Sequence, residues 1–186
     1  MKKQFLLIAT MLLSMVAGAA NEVEIDGIYY NLVSKIKEAE VANNGSGYYK
    51  GNVVIPASVT YNGVEYSVTS IERGAFAACP ALTSITIPNS MKSIGEDAFQ
   101  EAYGLTSVHI SDLAAWCKIV YIGDGRDCGN PLLVAHHLFL NGEEIKDLVI
   151  PNSVTSIGGY AFAGCHDLTS VTIPNSVISI GDGAFI

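Results

Sequence analysis

Leu82-Thr83-Ser84-Ile85-Thr86-Ile87-Pro88-Asn89-Ser90-Met91-Lys92-Ser93-Ile94-Gly95-Glu96-Asp97-Ala98-Phe99 holds one complete structural unit. Ile85 and Ile87 are two apart and share one face of a strand, with Ser84 and Thr86 on the other. Pro88 donates no ladder hydrogen bond and stops that strand, and Asn89-Ser90 turns the chain. Met91-Lys92-Ser93-Ile94 alternates as a second short strand closed by Gly95, and Ala98-Phe99 is expected in a helical turn that inserts the Phe between layers. The end of the unit recurs. Ile71-Glu72-Arg73-Gly74-Ala75-Phe76 lies 23 residues before Ile94-Gly95-Glu96-Asp97-Ala98-Phe99, and Ile157-Gly158-Gly159-Tyr160-Ala161-Phe162 lies 23 before Ile180-Gly181-Asp182-Gly183-Ala184-Phe185. A fixed period of this length marks a repeat solenoid, in which each rung buries its apolar side only by stacking on its neighbours.

The same pattern places five first strands, at 50–55, 82–87, 105–110, 145–150 and 168–173. Two rungs are therefore expanded. The first expansion contains Asn62-Gly63 between Val59 and Tyr66, a strong signal for a two-residue type I′ hairpin. The second makes residues 111–150 an irregular rung. In it Asp112 can cap a short helix over Leu113-Ala114-Ala115-Trp116-Cys117, and Asn141-Gly142 after His137-Leu138-Phe139-Leu140 gives another hairpin. Asp26-Gly27 predicts a third, in an N-terminal β cap spanning 20–49, because an end rung otherwise exposes its core. The solenoid then occupies 50–186 and stops in mid-rung at Ala184-Phe185-Ile186. That uncapped edge implies a fragment of a longer protein or end-to-end self-association.

Residues 1–19 are set apart from the fold. Lys2 and Lys3 precede an apolar run from Phe5 to Val16, and Ala17-Gly18-Ala19 supplies small residues for cleavage after Ala19 or Ala20. The run is short of the ~20 apolar residues of a membrane span. No Cys stands near the cleavage point for a lipid anchor, so the expected location is secreted or outer-surface. The formal charge of the 186-residue chain is −8, and loss of Lys2 and Lys3 makes it −10. Such a balance excludes phosphate-neutralising contact with nucleic acid and disfavours an anionic membrane surface.

With the rungs written out, the chain resembles the BspA-like leucine-rich repeat family of bacterial surface proteins. The resemblance is carried by Leu168-Thr169-Ser170-Val171-Thr172-Ile173-Pro174-Asn175-Ser176-Val177 with Ser179-Ile180-Gly181 and Ala184-Phe185, and by the matching runs upstream over 50–186. It implies export, adhesion to a host matrix protein or to neighbouring cells, and no catalytic residues or cofactors. The chain departs from the family in having few rungs.

Four cysteines raise redox and metal chemistry. Cys79 and Cys165 share a column three rungs apart, roughly 14 Å at the strand spacing, beyond the ~7 Å limit for a disulfide. They are expected as small buried column residues. Cys117 and Cys128 form a possible disulfide in an exported rung. Zinc on Cys117, Cys128, His136 and His137 matches no Cys-x-x-Cys spacing, and adjacent histidines on a strand face opposite ways. No metal is expected. Gly123-Asp124-Gly125-Arg126-Asp127 lacks calcium-loop spacing, and Glu143-Glu144 beside a turn is solubilising charge. A glycan hydrolase using Asp124, Asp127, Glu143 or Glu144 would need two carboxylates fixed across a cleft, for which the sequence gives no sign.

The expected binding surface is the outward strand face. One column runs Val54, Thr86, His109, Val149 and Thr172, and its neighbour runs Asn52, Ser84, Ser107, Asp147 and Ser170. The ligand residues are therefore Ser84, Thr86, Ser107, His109, Asp147, Val149, Ser170 and Thr172, facing an extracellular protein or glycan. His109 stands where other rungs have Thr, as a contact or as a tolerated surface change. Trp116, Tyr121 and Arg126 are residue types common in hot spots, although Trp116 equally suits the core of a wider rung. The competing expectation is a structural spacer, whose Ser and Thr columns need only be soluble.

Overall fold

A computed structural model describes residues 21–43, 49–123 and 128–186. The leader expected over 1–19, and Asp124, Arg126 and Asp127 of the glycine-flanked loop, lie outside the described residues. The chain opens with β1 (Asn21–Ile25), β2 (Ile28–Val33) and β3 (Glu38–Val41). β1 and β2 pair antiparallel around Asp26-Gly27, both with positive φ as a type I′ turn requires. β3 then pairs parallel with the later strand β6 (Val64–Ile71), which fastens the cap to the solenoid. The cap is thus three strands rather than a lone hairpin.

Each rung contributes one strand to a front sheet, one to a back sheet, and a turn on the third side. β4 (Gly51–Val54), β7 (Leu82–Thr86) and β9 (Ser107–Ile110) stack in parallel on the front. β6, β8 (Ser93–Ile94) and β10 (Val120–Tyr121) do the same on the back. β5 (Ser58–Tyr61) pairs with β6 through the Asn62-Gly63 turn, so the first expansion is the hairpin the sequence predicts. The period-two pattern is realised in the interior rungs, where Leu82, Ile85, Ile87 and Ile94 are all buried, whereas the later strands Ser170–Thr172 and Ser179–Ile180 are exposed along their length.

The third side explains the Ala-Phe signature. Gly74, Phe76 and Ala78 donate backbone N–H groups to the carbonyls of Glu96, Ala98 and Gln100, and Tyr160, Phe162 and Gly164 do so to Asp182, Ala184 and Ile186. The turns are therefore a parallel ladder of their own, not helices. Their aromatic side chains stack, Phe76 on Phe99 at 5.0 Å and 5° and Phe162 on Phe185 at 5.3 Å and 10°, and Tyr49 ahead of the first rung tilts against Phe76 at 4.7 Å and 46°. The ladder demands left-handed backbone at two columns, filled by Gly74, Asp97, Tyr160 and Gly183 and by Ala78, Glu101 and Gly164. Close approach also selects glycine at Gly95, where a Cβ would stand 2.5 Å from the Arg73 nitrogen.

The irregular rung follows its own course. Asp112 caps α1 (Leu113–Trp116), accepting from the Ala114 and Ala115 amides at 2.8 and 3.0 Å. Buried Asn130, just ahead of the Pro131 N-cap of α2 (Leu132–Ala135), accepts from the Leu132 amide and donates to the Tyr160 carbonyl. β11 (Leu138–Leu140) then adds to β9 in parallel and turns at Asn141-Gly142 into β12 (Glu143–Glu144). β13 (Asp147–Val149) pairs with β15 (Ser170–Thr172), and β14 (Ser156–Ile157) with β16 (Ser179–Ile180). The front is consequently two sheets, β12-β11-β9-β7-β4 and β13-β15. One uninterrupted ladder through five first strands was the expectation; β11 takes the place beside β9 that 145–150 was expected to hold.

Candidate binding face

The outward columns fall where strand alternation puts them. Val54, Thr86 and His109 are in register, as are Asn52, Ser84 and Ser107. Val149 aligns with Thr172 and Asp147 with Ser170, but on the second sheet. The eight expected contact residues are therefore divided: Ser84, Thr86, Ser107 and His109 on one surface, Asp147, Val149, Ser170 and Thr172 on the other. Phe139 completes the first column. It pairs with His109, and the two rings stack at 4.8 Å and 23°. His137 falls beside Ser107 in the second column, with its carbonyl accepting from Val108. Sequence reading missed both as face residues, although Leu138 flanked by His137 and Phe139 is the same in-out alternation that found the other strands.

Most polar side chains on the face bond to one another. Thr83 donates to Asn52, and His109 Nε2 meets Ser107 at 3.1 Å. Ser170 and Thr169 both donate to one Asp147 oxygen, at 2.6 and 2.9 Å. Those two donors hold the Asp147 carboxyl below its usual range.

The other sequence candidates resolve into core or loop roles. Trp116 is buried, donates to the Ala161 carbonyl at 2.8 Å and meets Tyr121 edge-on, so it fills the wide rung and offers no contact. Cys117 and Cys128 are both buried free thiols, so the possible disulfide is not formed in this structure. Both belong to the buried core, near Tyr121. Cys79 is buried as expected, while Cys165 is half-exposed. Burial pushes the Cys117 thiol up to about 11 and the Cys165 thiol up to about 12. His136 and His137 diverge, but through a turn and not along a strand: His136 is the left-handed C-cap of α2 and stacks on His166. Glu143 is exposed, whereas Glu144 pairs with His137 and Lys146. Among the described residues no helix is long and apolar enough to cross a membrane.

Stacked rungs of front strand, back strand and Phe-bearing turn define a leucine-rich repeat solenoid. The chain belongs to the BspA type leucine-rich repeat region family, whose profile matches six copies over residues 55–120 and 134–186. The chain is similar to a leucine-rich cell surface protein from Faecalibacterium prausnitzii, at 24% identity and a TM-score of 0.52, covering 91% of this chain and 47% of that one. It is also similar to a leucine-rich repeat protein from Bacteroides ovatus, at 29% identity and 0.50, covering 88% and 44%. The chain thus spans less than half the length of either structure. No curated protein sequence matches it.

Proposed function

We propose that the protein is an exported, surface-associated binding module whose β4-β7-β9-β11 face docks an extracellular protein or glycan. The observation that carries this reading is the His109–Phe139 stack in a half-buried, backbone-ordered column. A pre-ordered sheet lowers the entropic cost of engaging an extended partner, and aromatic groups supply the energy. Export rests on the Lys2-Lys3 start and the apolar run before Ala19. The similar protein described as a cell surface protein is in keeping with it. We assign no catalytic step.

A spacer role is favoured at β13-β15, where Asp147 is already satisfied by its own neighbours. The test is a binding screen of residues 20–186 on arrayed matrix proteins and glycans, with His109→Ser/Phe139→Ser and Asp147→Ser alongside. Binding lost with the first variant and kept with the second supports the proposed face. Binding equal in all three, or no binding by a folded sample, sinks it.

A further inference from the structure

We propose that His137, Glu144 and Asp167 form a zinc-class divalent-cation site that clasps the β11–β12 hairpin to the segment leading into β15. Glu144 Oε1 and Asp167 Oδ2 lie 2.7 and 3.0 Å from the same His137 nitrogen, Nδ1. The three ligand atoms are all within 4.8 Å of one another. An imidazole nitrogen carries at most one proton, so a single N–H is shared between two carboxylates that repel each other. A cation among the three atoms takes a lone pair from each and cancels that repulsion. First-shell N and O ligands lie ~2.0–2.2 Å from zinc, which separates tetrahedral neighbours by about 3.4 Å. The two distances from His137 are somewhat shorter than that and the three atoms all lie within 4.8 Å, so small side-chain shifts would bring them to it.

The fold fixes the ligands from independent segments. His137 is held by the backbone bond from Val108, and Glu144 by its pairing with Phe139. Asp167 comes from the following rung, between the last turn contact at Cys165 and β15. This is the seam where no strand ladder joins β11 or β12 to β13 and β15. The backbone crosses the seam where the Thr169 N–H donates to the Lys146 carbonyl at 2.7 Å, and a metal bridge two residues away on each side would add a second tie. Lys146 is the competing cation, and it stands 3.6 Å from the other Glu144 oxygen, Oε2, leaving Oε1 turned toward His137. The neighbouring histidines are engaged elsewhere, His136 through Nδ1 at the Gly164 carbonyl and His166 against the His136 ring. One imidazole with two carboxylates suits zinc, and the absence of thiolate makes the site moderate in affinity and reversible.

The experiment is calorimetric titration of zinc chloride into tag-free residues 20–186, stripped with EDTA, with thermal melts across the same range. Wild type should bind one zinc per chain, and its Tm should rise with zinc and fall again on chelation. Asp167→Asn and His137→Gln should each weaken binding by at least about tenfold, the lower end of what even an outer-shell partner is worth. His109→Ser, a histidine outside the cluster, should bind as wild type does. No zinc binding by folded wild type overturns the proposal, as does equal binding by Asp167→Asn and His137→Gln.

Discussion

Truncation of Phe99 and of Phe185 to Ala should separate interior from terminal stacking. Phe99 is 2% exposed, lies flat on Phe76, and lines a small cavity together with Cys128, Asn130, Leu133 and Val134. Removing it deletes a whole buried ring and opens a cavity that the rigid turn ladder cannot close, at about 4 kcal/mol. Phe185 stacks on Phe162 in the same geometry but is 37% exposed. It loses roughly half as much, about 2 kcal/mol, by its smaller burial and single ring partner. Urea unfolding followed by the fluorescence of the single Trp, Trp116, reads the core directly, because that indole is 1% exposed beneath the Ala161 carbonyl. With a slope of about 2 kcal/mol/M, the midpoints should fall by about 2 M and 1 M respectively. Equal falls would refute an open last rung and mean that something covers Phe185 in solution. A negligible fall for Phe99→Ala would refute the stack as the source of rung cohesion. A reduced slope for Phe185→Ala would show the end rung unfolding on its own, as nearest-neighbour coupling allows.

One column of the turn ladder should answer glycine exchange with opposite signs. Ala78 has a φ of 51°, so Ala78→Gly should stabilise by up to about 1 kcal/mol; Gly164→Ala should destabilise by more, since its Cβ would meet the Leu132 carbonyl oxygen at 2.5 Å, and paired urea melts test both. The thiols should resist labelling by a disulfide reagent at pH 8 in the native state. Cys117 and Cys165 are raised by burial and carry little thiolate there, and all four should react in guanidinium; fewer than four under denaturing, non-reducing conditions would restore the Cys117–Cys128 disulfide.

The regular rungs were legible because one physical rule governs them. A 23-residue repeat with Ile at alternate positions can bury those residues only by stacking, and the three Gly-containing turns each declare a type I′ hairpin. The Asp112 cap was equally legible, being a local event between a carboxylate and amides two and three residues away. What escaped was long-range. β3 has no repeat to match, and its pairing with β6 depends on the cap folding back over the first rung. β11 was recognisable as a hairpin strand, yet its alignment with β9 is a competition between two nearby segments, 138–140 and 147–149, for one edge. Asp167 could not be joined to His137 and Glu144 from spacing, since the three meet only after the irregular rung has closed on the next.

The same division bears on where binding energy can arise. In the regular columns several side chains already have a partner on their own ladder, as with Thr83 and Asn52 or Ser170 and Asp147. A ligand that takes over such a bond exchanges one for another and nets at most about 1 kcal/mol. Repeating Ser and Thr therefore keeps a sheet soluble without choosing a partner. The irregular rung differs in kind. It brings an aromatic ring beside His109, places His137 between two carboxylates, and ends one ladder so that a seam is exposed. Aromatic anchors and charge-bearing groups at a discontinuity can distinguish one ligand from another by several kcal/mol, because mismatched partners leave them desolvated and unpaired. On the proposed binding reading, selectivity would rest on residues 111–150, where the repeat is broken, with the regular rungs holding that break in a fixed frame.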